Sequence, residues 1–304
     1  MNVLDYLRNF FQPPQRPARP WHGLREKTVQ CLGPHGLHRM AYTEWGDPAN
    51  RRVLVCVHGL TRNGRDFDFL AQTLADDYRV VCPDVVGRGR SDWLGVKTDY
   101  GFPVYMNDMV TLLARLDADT VHWVGTSMGG IIGMLLASQA HTPISRLVLN
   151  DIGPLITAVS LQRIGEYVGR APLFASMAEA EQWIRTIGAP FGALADAHWA
   201  HLTRYSVRPV DGGFALLCDP AVGDVFRATP VEADVDLWAV YRAIRCPTLA
   251  IRGAESDLLE RVTHQQMALE GPCARTAEIP GVGHAPMLME ATQIGLVRDF
   301  LREA

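Results

Sequence analysis

Lysine is almost missing from this chain. Of its 29 basic residues only Lys27 and Lys97 are lysines, and the arginines form no basic block of the kind that follows a phosphate backbone. Nucleic acid is therefore excluded as an expected partner, in keeping with a net charge of −4. Long hydrophobic runs are also lacking. The longest apolar windows, such as 131–137, fall far short of the ~20 residues that span a bilayer, so no membrane span is expected. The six cysteines (Cys31, Cys56, Cys82, Cys218, Cys246 and Cys273) show no Cys-x-x-Cys spacing and no pairing with histidine of a zinc-site kind. Neither a metal site nor a disulfide framework is expected, and a reducing compartment follows. Gly87-Arg88-Gly89 lacks the third glycine and the following helix of a dinucleotide fingerprint, so no cofactor is expected either.

What is present is organised around Val-His-Trp-Val-Gly-Thr-Ser-Met-Gly-Gly at 121–130. An apolar, strand-like run stops at a Gly-x-Ser-x-Gly pentapeptide, and a helical pattern begins at once. Gly125 and Gly129 stand where side chains would collide in so tight a turn, which would leave Ser127 exposed above the sheet edge. Three other stretches share this character of a strand ending in polar or glycine residues. Residues 52–57 run into His58-Gly59-Leu60-Thr61, residues 248–252 into Gly253-Ala254-Glu255-Ser256-Asp257, and residues 275–279 into Pro280-Gly281-Val282-Gly283-His284.

At 304 residues the chain fits one domain with an insertion. Val3, Leu4, Leu7, Phe10 and Phe11 share one helical face, and the prolines at 13, 14, 17 and 20 then impose an extended linker. Residues 1–20 thus read as an amphipathic arm, folded onto its own domain or docked on a second subunit or a surface. Asp5 and Arg8 interrupt it and no small-residue cleavage site follows, so it does not read as a signal peptide and a cytoplasmic location is expected. A hairpin is predicted over 26–32 and 37–45. Strands over 53–57 and 79–82 then alternate with helices over 66–75 and 104–116, which implies a mostly parallel sheet covered on both faces. Further helices are predicted over 128–139, 237–244, 261–269 and 286–302, with a sixth strand over 146–150. Between these, 153–236 is rich in alanine and helical in pattern.

Nucleophile, acid and histidine in that order, each just after a strand, resemble the α/β-hydrolase family, and the resemblance spans about residues 26–302. It implies an α/β-hydrolase core over 21–152 and 237–304, with a helical lid insertion over 153–236. It also implies a serine hydrolase acting on a small-molecule carboxylic ester. Ser127 would be the nucleophile, His284 its base, and Asp257 the acid that orients His284; Asp151, at the end of strand six, is the rival carboxylate. The backbone N–H groups of Leu60 and Met128 would form the oxyanion hole. His58 reads as structural, and so does the Pro83-to-Asp92 loop, in which Asp84, Arg88 and Asp92 can pair with one another.

Two other activities fit the same motifs. A C–C bond hydrolase of the meta-cleavage type shares Ser127-Met128-Gly129-Gly130, but such enzymes usually carry Trp after the catalytic histidine, where this chain has Ala285-Pro286. Enol-lactone hydrolysis is the other. A non-catalytic receptor of the same fold would not need the intact set.

Overall fold

Residues 53, 55 and 57 turn to one side of a central sheet and residues 54 and 56 to the other, and all five side chains are buried. A strand alternates faces at every residue, so a wholly apolar run of this kind has to be covered on both sides. The computed structural model describes residues 23–224 and 232–303, and the arm expected over 1–20 lies outside them. The sheet has eight strands: β1 (Arg25–Gly33), β2 (Gly36–Trp45), β3 (Val53–Val57), β4 (Arg79–Pro83), β5 (Val121–Thr126), β6 (Ile144–Asn150), β7 (Thr248–Gly253) and β8 (Arg275–Ile279). Their spatial order is β1-β2-β4-β3-β5-β6-β7-β8. β2 is antiparallel to β1 and β4, while every pair from β4 through β3 to β8 is parallel.

Nine α-helices connect or cover these strands: α1 (Asp68–Leu74), α2 (Phe102–Leu116), α3 (Met128–Ala137), α4 (Ala158–Tyr167), α5 (Met177–Ile187), α6 (Asp196–Ser206), α7 (Trp238–Ala243), α8 (Arg261–Met267) and α9 (Ala291–Arg302), counted among the described residues. Leu70 and Leu74 of α1 and Val297 and Phe300 of α9 pack with Leu54, Val148 and Ile251 on one face. Met109 and Leu112 of α2, Ile132 of α3 and Tyr241 of α7 pack with Val55, Leu147 and Ala250 on the other. The α/β-hydrolase architecture expected from the sequence is the one observed.

Three local expectations change. Gly64–Phe67 forms a 3-10 turn ahead of α1, capped by the Asn63 side chain, where a continuous helix over 66–75 is expected. The closing helix starts at Ala291, not at 286. The stretch before it is bonded elsewhere: Asn150 Nδ2 donates to the Pro286 carbonyl at 2.8 Å, and Leu288 N–H donates to Gln293 Oε1 at 2.8 Å. Finally, the 153–236 segment is not all helix. Besides α4, α5 and α6 it carries a small antiparallel sheet of Leu173–Phe174, Gly213–Leu216 and Val207–Val210, strands too short for a period-2 pattern to be visible. At its root Leu155–Ile156 pairs with Val235–Asp236. Phe174, Ile184, Trp199 and Leu202 of this segment form a separate apolar cluster with Met287 and Met289, just beyond His284.

The β1–β2 hairpin is tied to α2 by a buried polar contact. His38 Nε2 lies 2.9 Å and 3.0 Å from the two carboxylate oxygens of Asp108. Replacing one partner of a buried pair leaves the other desolvated, at a cost of about 3 kcal/mol or more. Asp108→Leu should therefore lower the unfolding free energy by about 3 kcal/mol in urea titrations. The Asp108→Leu/His38→Leu double variant should recover part of that loss.

Candidate active site

Ser127 sits between β5 and α3 with φ 52° and ψ −116°, a strained conformation for a residue with a side chain. The glycines around it make that turn possible. A Cβ on Gly125 would stand 2.2 Å from the Gly129 carbonyl oxygen, and one on Gly129 would stand 2.0 Å from that of Val57. Backbone bonds hold the elbow from both sides: Ser127 N–H donates to the Asn150 carbonyl at 3.0 Å, and Trp123 Nε1–H to the Gly129 carbonyl at 3.0 Å.

His284, in the loop after β8, places Nε2 3.0 Å from Ser127 Oγ. Its Nδ1 lies 2.7 Å from Oδ2 of Asp151, and this is the acid the structure brings to it. Asp151 is fully buried directly after β6, the strand between β5 and β7. Its carboxylate also accepts Gly253 N–H at 2.8 Å and the Ser256 hydroxyl at 2.6 Å. Asp257, the acid expected from the Gly-x-x-x-Asp spacing, is instead half exposed and paired with Arg163 of α4. The correction has a simple cause. Ser256 N–H turns back to the Gly253 carbonyl at 2.9 Å, so this loop sends Ser256 inward and Asp257 outward. Asp151-Ile-Gly-Pro at the end of β6 was the available sequence signal.

Leu60 and Met128 both border the space in front of Ser127. Met128 is the first residue of α3, so its N–H has no partner within the helix. His58 fixes the Leu60 loop. Its Nδ1 lies 2.7 Å from the Gly59 carbonyl and its Nε2 accepts Val85 N–H at 2.9 Å, which defines a neutral ring with the proton on Nδ1. Burial pushes its pKa down to about 3, so it stays neutral at physiological pH. In the loop after β4 the expected mutual pairing of Asp84, Arg88 and Asp92 does not occur. Asp84 accepts the N–H groups of Gly64 and Arg90, Asp92 accepts that of Arg39, and Arg88 turns inward.

Ser127 and His284 open into a cavity of about 830 Å³. The 153–236 segment supplies much of its wall through Ile156, Leu161, Ile164, Trp183, Ile187 and Phe191, with Arg163 and Asp257 also on its lining. Such a relay in an apolar space can deprotonate a hydroxyl and return the proton to a leaving group. Away from it, Cys31, His38 and Asp108 bring ligand-type atoms within 4.8 Å of one another, a grouping their sequence spacing does not reveal. Burial and the neighbouring Asp108 push the Cys31 thiol up to about 12, so it stays protonated at physiological pH.

The family model described as alpha/beta hydrolase fold matches residues 52–290, and the chain belongs to that family. It is a hydrolase. It is 47% identical over 284 residues to the 3-hydroxybutyrate-oligomer hydrolase of Cupriavidus necator, covering 91% of this chain and 97% of that protein. A Rickettsia typhi protein of solved structure superposes with a TM-score of 0.85 at 34% identity, over 92% of this chain and 99% of its own. An alpha/beta hydrolase from Novosphingobium aromaticivorans superposes with a TM-score of 0.81 at 32% identity, over 91% and 98%. Among the described residues no helix is long and apolar enough to cross a membrane.

The two carboxylates can be told apart in solution. Asp151→Asn should lower kcat by about 10³-fold or more, because the amide would hold His284 in the wrong tautomer. Asp257→Asn should leave kcat within about threefold. Steady-state rates on an activated ester measure both, and the reverse ranking would return the role to Asp257.

Proposed function

We propose that the protein is a serine esterase that cleaves short oligoesters of a hydroxy acid of the 3-hydroxybutyrate type through an acyl-Ser127 intermediate. The observation that carries this reading is the line Ser127–His284–Asp151, with its serine facing a large apolar cavity. The activity of the Cupriavidus necator relative, similar over nearly its whole length, supports the substrate class.

The geometry supports the following course. His284 Nε2 takes the proton of Ser127 Oγ as that oxygen bonds to the ester carbon, and the carbonyl electron pair moves onto oxygen. The buried Asp151 carboxylate stabilises the imidazolium without itself taking the proton. The N–H groups of Leu60 and Met128 meet the oxyanion; losing one such donor costs ~2.7–4 kcal/mol in a serine protease example. Collapse breaks the bond to the leaving alkoxide, which receives the proton from His284. Water then attacks the acyl-serine by the same path and releases the acid.

An apolar wall suits the methyl and methylene groups along such an ester chain, each buried methylene contributing up to ~0.8 kcal/mol. A cavity of about 830 Å³ lies towards the upper end of the usual ligand-site range and has room for more than one four-carbon unit. This favours an oligomer over a single short acyl group. Arg163 on the lining keeps a C–C hydrolase acting on a diketo acid in the comparison.

The test is a rate panel of 3-hydroxybutyrate dimer and trimer, p-nitrophenyl esters of increasing length, a lactone and a vinylogous diketo acid. The trimer should exceed the diketo acid in kcat/KM by at least ~10-fold, about 1.4 kcal/mol. Rates on p-nitrophenyl esters should rise and then fall with chain length, and Ser127→Ala should abolish them all. Preferential cleavage of the diketo acid would overturn the ester reading, and activity surviving in Ser127→Ala would overturn the nucleophile.

A further inference from the structure

Arg88 is an arginine with no solvent exposure at all, and none of the described residues forms an ion pair with it. The carboxylates on its own loop and beyond are spent elsewhere. Asp84 accepts two backbone N–H groups, and Asp219 takes Lys97 at 2.5 Å and the Tyr100 hydroxyl at 2.7 Å. A buried guanidinium without a counter-charge is expensive, and an apolar side chain of similar size would serve packing better. Its position therefore calls for a reason other than stability.

Its contacts supply one. Nε–H donates to the Leu60 carbonyl at 2.7 Å, and Nη1 donates to the Val86 carbonyl at 2.7 Å and to the Tyr105 hydroxyl at 2.9 Å. Nη2 lies 3.7 Å from Met128 Sδ. Leu60 lies in the loop after β3 and Met128 opens α3 after β5, and the one guanidinium reaches both. The carrier loop is anchored in turn: Gly89 N–H donates to the Leu217 carbonyl at 2.7 Å, and Asp219 N–H to the Gly87 carbonyl at 2.8 Å.

We propose that Arg88 is a positioning residue for the oxyanion hole: it braces Leu60 and Met128 so that their N–H groups converge, and its unpaired charge favours the anionic tetrahedral intermediate. The inference rests on the esterase reading above. The planar fork is what suits arginine to the task, since one rigid head meets four protein groups at fixed angles, which a lysine ammonium cannot do. Because the head sits behind the site and not in the cavity lining, substrate in its ground state gains nothing from it. The benefit appears only as negative charge develops, which is the condition for raising kcat rather than lowering KM.

The test uses the full chain as wild type, Arg88→Met and Arg88→Lys, with p-nitrophenyl butyrate as substrate. Two inhibitors complete it. An alkyl trifluoromethyl ketone accepts Ser127 Oγ at its carbonyl carbon to give a hemiketal oxyanion, with the serine proton passing to His284. The matching secondary alcohol fills the same cavity without reacting. Arg88→Met should lower kcat about 100-fold with KM within threefold, and the Ki of the ketone should rise by the same factor while that of the alcohol stays unchanged. Arg88→Lys, which keeps the charge but not the fork, should lose about tenfold in kcat with a matching rise in ketone Ki. If Arg88→Met does not fold, the lysine variant alone decides. A loss carried by KM, an unchanged ketone Ki, or ketone and alcohol weakening together would overturn the assignment. A wild-type enzyme indifferent to the ketone would overturn the esterase reading itself.

Discussion

The Asp151 carboxylate is where three strand ends are joined. It follows β6, accepts a backbone N–H from the end of β7 and a hydroxyl from the loop beyond it, and meets the imidazole that follows β8. In a parallel sheet these ends lie side by side by construction, but nothing in strand pairing alone fixes the loops above them. A buried carboxylate can be accommodated only when its lone pairs are filled, and three donors fill most of them here. The same bonds that make Asp151 tolerable in the interior also hold His284 over Ser127. Stability and reactivity share one set of contacts.

A second frame lies on the other side of the serine. His58, locked neutral between the Gly59 carbonyl and Val85 N–H, ties the loop after β3 to the loop after β4. Arg88 extends that tie to the start of α3. The space in front of Ser127 is thus bounded below by these hydrogen-bonded loops and above by apolar faces of the 153–236 segment. This division suits an enzyme whose chemistry is common and whose substrate is particular.

Much of this was legible in the residues. The bounds of β3 coincide with the apolar run at 53–57, because a fully buried strand leaves an uninterrupted signal, and β8, a largely exposed strand at the sheet edge, also keeps the expected bounds 275–279. Gly125 and Gly129 announced the elbow because only glycine fits two positions so close to backbone oxygen. Which of the two candidate carboxylates meets His284 was not legible. A spacing counts residues along the chain, and whether Ser256 or Asp257 faces inward depends on a single turn of backbone at 253–256. Arg88 was hidden for a related reason: a long charged side chain among aspartates reads as a surface ion pair until its surroundings are known. The small sheet within 153–236 was missed because strands of two to four residues carry no period.

The ribbon of Leu155–Ile156 against Val235–Asp236 closes that segment at its base, with Ile156 opposite Val235. Departure and return of the chain are therefore neighbours, so the core sees the intervening residues 157–234 as a loop with its ends already pinned, whose closure entropy grows only slowly with length. Such a stretch can be exchanged wholesale, as a cassette, while the sheet below keeps its register. New specificities in this family can then arise by grafting rather than by redesign of the scaffold, and the ribbon marks the two splice points.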